Sequence, residues 1–265
     1  MSTVLPQLNE LSFYGLPGAP KSPQDLIKEC QDGEALGFGS TFLSERFNIK
    51  EICTISGVAG AVTSSLGIAT GATNHNTRHP MVTASFSTTM HRLTNGRFAL
   101  GLGRGMDAVF KAYGLPTITT AQMEDFVGIM RRLWNGEAII GHNGPAGSWP
   151  YLQIDPDFRE DIPLMLTAFG PQSLALGGRA FDGVILHTFF TDETLQRCVR
   201  TVKEAAEKAG RDPDKVRVWS CYATIGDWIP EDIRLKKTVG RLATYLQAYG
   251  DLVIPAIAEH QRAKS

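Results

Sequence analysis

The chain has 265 residues, 43% of them hydrophobic and 20% charged, with a formal net charge of -1. That length supports one sizeable core, and the balanced charge excludes both the basic excess of a nucleic-acid binder and the acidic block of a solvating tail. Four cysteines, Cys30, Cys53, Cys198 and Cys221, form no CxxC pair, which argues against zinc and thioredoxin-type motifs. They read as small buried hydrophobes suited to a reducing compartment. No basic-then-apolar leader and no run of ~18 apolar residues is found. The expectation is a soluble cytoplasmic protein that engages neither membrane nor nucleic acid.

Strand and helix patterns alternate along the chain. Leu8 to Tyr14 reads as a strand closed by the Gly15–Pro20 turn cluster, followed by a helix with Leu26, Ile27 and Cys30 on one face. Ser40 to Leu43 is a second strand, and Ile52, Ile55, Ala59 and Val62 repeat at helical spacing behind it. Leu66 to Ala72 is a third strand, and Val82, Phe86, Met90 and Leu93 predict the inward face of the next helix. Arg97 to Gly103 is the fourth. Thr119 and Gln122 have capping-box spacing ahead of an apolar stripe from Met123 to Trp134. Gly136 to Pro150 reads as an excursion loop, and Ile162 to Thr167 as a fifth strand with Pro171 in the first turn of its helix. Val184 to His187 and Val216 to Ile225 complete seven strands, with helices marked by Leu195, Cys198, Val199 and Val202 and by Leu235, Val239, Leu242, Leu246 and Tyr249.

Strand–helix units in series argue for a parallel sheet, since each parallel connection needs a crossover. Seven is one short of a closed eight-stranded barrel. The doubly wound alternative lacks a GxGxxG after the first strand. In a barrel the site lies at the C-terminal strand ends. Those ends carry Glu45-Arg46-Phe47, Gly71 to Pro80, Gly101-Leu102-Gly103-Arg104-Gly105, Gly170-Pro171-Gln172-Ser173, and His187-Thr188. Glycines there let a flat ring or phosphate approach the backbone, and free amides at Gly103–Gly105 and after Gly170 suit an anion. Each feature also has a structural reading. Glu45 and Arg104 could pair as a salt bridge, Arg78-His79-Pro80 could simply start a helix, and His187 could be a hydrogen-bonded barrel histidine. The histidines His75, His79, His91 and His187 lack paired carboxylates at strand ends, so no metal centre is expected.

Taken together, Thr73-Asn74-His75-Asn76-Thr77-Arg78-His79-Pro80, Leu93-Thr94-Asn95-Gly96-Arg97-Phe98-Ala99-Leu100-Gly101-Leu102-Gly103, Ala168 to Ser173 and Ala180 to Ile185 resemble the blocks of the luciferase-like flavin and deazaflavin oxidoreductases. Thr-Asn-His-Asn resembles an actinobacterial, mycobacterial-type branch that uses coenzyme F420. The resemblance runs from about Leu8 to Gly250. It implies an α/β fold, a (β/α)8 TIM barrel of the luciferase-like type whose last strand–helix unit is missing or atypical. One domain over 1–250 and a tail over 251–265 are expected.

The same resemblance implies a non-prolyl cis peptide at Gly71–Ala72 supporting the back of the ring. Thr73 and Asn74 would bond the ring edge. The Gly103, Arg104 and Gly105 stretch and the Gly170, Pro171, Gln172 and Ser173 stretch would hold the phosphate and neighbouring oxygens. Where many relatives have Asp-His-Phe after strand two, this chain has Glu45, Arg46 and Phe47; where some place a proton-donating Glu after strand four, it has Arg104. Arginine stays protonated and makes a poor general acid, though it can clamp an anion. Glu45, Arg46 and His75 are therefore the catalytic candidates, with Glu45 and His75 the two able to move a proton. The implied reaction is hydride transfer between F420 and a small organic substrate, in a homodimer. The alternatives are an FMN-dependent monooxygenase and a cofactor-binding relative without turnover.

Overall fold

The computed structural model describes residues 10–18, 20–187 and 191–264. The chain divides into two compact units, Met1–Leu166 and Thr167–Ser265.

In the first unit, β1 (Ser12–Tyr14), β2 (Ser40–Leu43), β3 (Gly67–Thr70) and β4 (Phe98–Leu102) pair in parallel in that order, and the first residues of β7 (Leu164–Ala168) pair with β4. The crossovers are α1 (Asp25–Ala35), α2 (Ile52–Val62), α3 (Pro80–Leu93), the short α4 (Asp107–Ala112) and α5 (Thr120–Trp134). Strand β2 has the bounds its sequence suggests. Strand β1 is shorter than the Leu8–Tyr14 reading, whose first two residues lie outside the described residues.

Local signals explain the helix starts. Thr119 and Gln122 form the reciprocal capping box at α5, which then buries Met123, Phe126, Val127, Met130, Leu133 and Trp134. His79 caps α3 with Pro80 in the first turn, and Glu51 caps α2 by accepting from the Cys53 and Thr54 amides. The Asn95-Gly96 pair returns α3 to β4 in the left-handed region, at φ 52° and 83°. Arg97 then staples this lower end, its guanidinium donating to the carbonyls of Thr94, Gly60, Thr63 and Leu66 and to the Thr63 hydroxyl.

Three readings are corrected. The buried face of α3 is Pro80, Thr83, Ala84, Ser87 and Met90, while Val82 and Leu93 are exposed; small side chains let this helix lie close to the sheet. Ile27 is exposed on α1, where Leu26, Cys30 and Gly33 face inward. The Gly136–Pro150 stretch is an antiparallel hairpin, β5 (Ile139–Gly144) with β6 (Gly147–Leu152), because His142 and Trp149 pair across it and Gly147 supplies the turn.

The second unit carries α6 (Pro171–Ala180), β8 (Gly183–Leu186), α7 (Asp192–Lys208), β9 (Arg217–Trp219) and α8 (Glu231–Lys264), with β8 and β9 parallel. Strand β9 has three residues where the sequence suggested ten from Val216 to Ile225, and α8 continues through the 251–264 stretch without a break. Cys30 and Cys198 are buried, Cys53 and Cys221 are half-buried, and no disulfide joins them. Among the described residues no helix is long and apolar enough to cross a membrane.

Helix α6 meets α7 at Gly178, where a Cβ would lie 2.1 Å from the Val202 carbonyl oxygen and 2.9 Å from Ala205. Backbone on one side leaves nothing to swing away. Gly178→Ala is expected to destabilise the second unit by about 1–3 kcal/mol, read as a lower urea midpoint in circular dichroism; an unchanged midpoint would show that the two helices separate freely.

Candidate active site

The polar centre of the first unit is built where β2, β3 and β4 end. Gly71 and Ala72, just past β3, are joined by a cis peptide, at the position the sequence resemblance implied. Both carbonyls are engaged: Tyr14 Oη donates to Gly71 O at 3.3 Å, and the Glu45 amide donates to Ala72 O at 3.0 Å. The chain then crosses to β4, with Thr73 N donating to Gly101 O and Gly103 N to Thr73 O, at 3.0 and 2.7 Å. Below them the Thr70 hydroxyl bridges the amide and carbonyl of Gly101. A Cβ at Gly71 would press on Phe42 at 3.1 Å, which accounts for the glycine.

Glu45 organises this cluster. Its side chain is 4% exposed and pairs with Arg78, 15% exposed, through both guanidinium nitrogens. The Thr73 hydroxyl donates to the same carboxylate at 2.6 Å and the Asn74 amide at 3.3 Å. Asn74 Oδ1 in turn accepts from the Thr77 amide and hydroxyl. Arg78 also reaches Glu51, the α2 cap, at 2.5 Å. Burial opposes ionisation of Glu51, but the Thr54 and Cys53 amides, the Thr54 hydroxyl and Arg78 outweigh it and hold the carboxyl at about 2. The Arg78 guanidinium is held more firmly protonated than usual, chiefly by its hydrogen bond to Glu45.

The other candidates lie around this centre. Arg46 reaches back to the loop after β1, donating to Gly18 O at 2.8 Å, and Phe47 turns toward Phe110 of α4 and Tyr113. Lys50, 4% exposed, donates to Leu16 O at 2.8 Å; burial and Arg46 push its ammonium down to about 8. His75 is buried and stacked on Phe126 of α5, its ring held neutral by burial, at about 4. Arg104 donates to Thr120 Oγ1 at the start of α5. Gly105 has φ 69° and packs on Phe110. Buried polar atoms without a protein partner occur at three successive strand ends: Ser44 Oγ after β2, His75 Nδ1 after β3 and Arg104 Nε after β4.

In the second unit, Gly170 is the α6 N-cap with no side-chain cap, Pro171 is in the first turn, Ser173 Oγ donates to Gly170 O at 3.1 Å, and Gln172 is exposed. His187 Nδ1 bonds Tyr245 Oη at 2.8 Å, and burial holds this ring neutral at about 4. Thr188 lies outside the described residues. Among the described residues no three metal-ligating side chains converge.

Thus Glu45, Thr73 and Asn74 share one hydrogen-bonded cluster, while Arg46 and Arg104 point to separate partners. The Glu45–Arg104 salt bridge considered from sequence is not formed; Arg78 takes that role. Arg78, Tyr14 and Tyr245 were not singled out by pattern. A signal for Arg78 existed: an arginine and a glutamate at adjacent apolar strand ends need a counter-charge when buried.

Residues 10–232 match the family described as luciferase-like monooxygenase. The chain belongs to this family. The 5,10-methylenetetrahydromethanopterin reductase of Methanolobus tindarius is 28% identical over 218 residues, 79% of this chain and 65% of the relative. The phthiodiolone/phenolphthiodiolone dimycocerosates ketoreductase of Mycobacterium tuberculosis is 30% identical over 185 residues, 68% of this chain and 49% of the relative. The chain thus spans 65% and 49% of the length of these two relatives. Among solved structures, an F420-dependent secondary alcohol dehydrogenase in complex with an F420-acetone adduct superposes with a TM-score of 0.74 at 22% identity, covering 90% of this chain and 76% of that one. The FMN-bound oxygenating constituent of 3,6-diketocamphane monooxygenase from Pseudomonas putida gives 0.69 at 21% identity, over 90% and 73%. These likenesses establish the fold as α/β, of the luciferase-like TIM-barrel type, with seven barrel-type strands among the described residues in place of eight.

Removing one partner of the buried pair leaves the other uncompensated. Glu45→Ala and Arg78→Ala are each expected to cost about 3–5 kcal/mol, and the double variant less than their sum; strictly additive urea-unfolding losses would show the pair is uncoupled. His75 is expected to contribute to the acid limb of stability. Its folded value of about 4 lies below the ordinary 6.5, so the unfolded chain takes up the proton first and stability falls as pH drops from 6.5 towards 4. His75→Phe should remove on the order of 3 kcal/mol of that fall, seen by comparing urea midpoints at neutral pH and near pH 4; an equal fall in both proteins would assign the acid sensitivity elsewhere.

Proposed function

We propose that this family member is a coenzyme F420-dependent oxidoreductase acting on a small organic substrate. The observation that carries the reading is the set of orphaned polar atoms at the ends of β2, β3 and β4. Buried donors and acceptors without partners are costly unless a ligand satisfies them. No side chain in the cluster is itself a redox group, so an oxidoreductase built on it draws its redox chemistry from a cofactor. Names of relatives support the deazaflavin: the two curated relatives above are a reductase and a ketoreductase, and two similar solved structures are F420-dependent.

F420 supplies the hydride donor or acceptor, at C5 of its deazaflavin. In this reading the Gly71–Ala72 segment would support the back of the ring, Thr73 and Asn74 would bond its edge, and the Gly103–Gly105 backbone would hold the phosphate of its side chain. Within the second unit, the uncapped amides at the start of α6, Gly170–Ser173, suit an anionic oxygen. Glu45 serves as a fixed acceptor. Its oxygens take hydrogen bonds from Thr73, Asn74 and Arg78, so it orients those donors. His75, neutral and buried, is the remaining proton-transfer candidate.

Titrating the purified chain with F420 and, separately, with FMN, and following tryptophan fluorescence, tests the reading. Saturable quenching by F420 at tens of micromolar or below, with none by FMN, is expected. Quenching by FMN alone would place the chain among the flavin monooxygenases, and no response to either would overturn cofactor binding by this chain.

A further inference from the structure

Lys50 is a buried cation to which the proposed chemistry gives no task. Its side chain is 4% exposed, and its ammonium serves three consecutive residues. It donates to Leu16 O at 2.8 Å and to Gly15 O at 3.3 Å, and it lies 5.6 Å from the centre of the Tyr14 ring. An apolar side chain would fill this place without the desolvation cost of an ammonium, so the significance of Lys50 lies in what it holds. Leu16 is fully buried in the left-handed region, at φ 49°, a conformation that a leucine rarely adopts. Its carbonyl accepts from Lys50, and its amide donates to the Glu29 carboxylate of α1 at 2.7 Å. A charged group on each side therefore fixes this turn.

The turn matters because it follows Tyr14. Tyr14 is the last residue of β1, and its Oη donates to Gly71 O at 3.3 Å. Lys50 grips the two residues after Tyr14 and faces its ring, so it constrains where the phenol points. The loop that carries Lys50 also holds the neighbouring carbonyl. Glu45 N donates to Ala72 O at 3.0 Å, and Arg46 and Lys50 close that loop by exchanging backbone hydrogen bonds at 3.1 and 2.8 Å. The loop after β2 thus fixes both carbonyls of the Gly71–Ala72 segment, one directly and one by way of Tyr14. We infer that Lys50 is a positioning residue of the strand-end site: through Leu16 and Tyr14 it sets where the Gly71 carbonyl lies, and with it the surface that a planar cofactor ring would meet. The last clause rests on reading these strand ends as the cofactor site; the link from Lys50 to Gly71 does not.

Amide hydrogen exchange of the chain without cofactor tests the link, followed on peptides covering residues 14–18 and 71–75, with 123–134 of α5 as the control. Lys50→Met should speed exchange several-fold in the first two peptides and leave the control within about twofold of wild type. Tyr14→Phe, which keeps the ring, should speed exchange in 71–75 and leave the control unchanged. Lys50→Arg, which keeps the charge and the donors, should restore part of the protection of 71–75. Lys50→Gln, neutral but still a donor, serves if Lys50→Met does not fold. An F420 titration of the same proteins then reads the consequence for binding. Lys50→Met and Tyr14→Phe should each weaken F420 about tenfold, and the double variant about as much as either alone, since both act on one carbonyl. Faster exchange confined to 14–18 in Lys50→Met, or spread equally to 123–134, overturns the assignment, as do fully multiplicative losses of F420 affinity in the double variant. A wild type that binds neither F420 nor FMN overturns the proposed function instead, and the exchange pattern alone then decides the role of Lys50.

Discussion

The Glu45–Arg78 pair is the interaction on which the strand-end architecture depends. A carboxylate that is 4% exposed can remain charged only if its desolvation is offset by opposite charge and by hydrogen bonds to its lone pairs. Arg78 supplies the charge, and Thr73 and Asn74 supply further donors. The consequence is geometric. The end of β2, the loop after β3 and, through Glu51, the start of α2 are joined in one network, so none can shift without exposing a buried charge. The residues flanking Gly71–Ala72 are thereby oriented before any ligand arrives, which lowers the ordering cost of binding.

The opposite end of β4 is held by a different device. Arg97 donates to four backbone carbonyls and among the described residues has no carboxylate contact at ion-pair distance, a charge-assisted way of satisfying carbonyls of the α2–β3 and α3–β4 turns. The string Gly96-Arg97-Phe98 that carries part of the family resemblance is therefore structural. Gly96 allows the left-handed turn, Arg97 staples it, and Phe98 is buried at 1% exposure. At the other end of the same strand Gly101 and Gly103 bring backbone close to Thr73.

Charge is distributed unevenly over that end. Glu45 is saturated with donors, His75 is neutral in its apolar packing against Phe126, and Arg46 serves the β1 loop. Arg104 stands apart with an unmet donor. An enzyme so arranged contributes mainly by binding and orienting a reactive cofactor, which accords with its luciferase-like family.

The sequence by itself determined the order of the parallel strands and of the main helices between them, the Ser40–Leu43 strand, the Thr119 capping box with its buried stripe, and the strand-end segments where polar residues collect. These are local properties: periodicity, capping and turn chemistry act over a few residues. The family resemblance added the Gly71–Ala72 cis peptide. Tertiary structure alone decided which charges meet. Glu45 pairs with Arg78, 33 positions on, and not with Arg104, because the loop after β3 folds back over β2. It also decided that α3 buries Thr83, Ala84 and Ser87 while Val82 stays in solvent, and that the Gly136–Pro150 stretch closes as a hairpin. Small residues and turn-rich segments carry weak one-dimensional signals, and the choice of partner for a buried charge is a long-range property that no local pattern encodes.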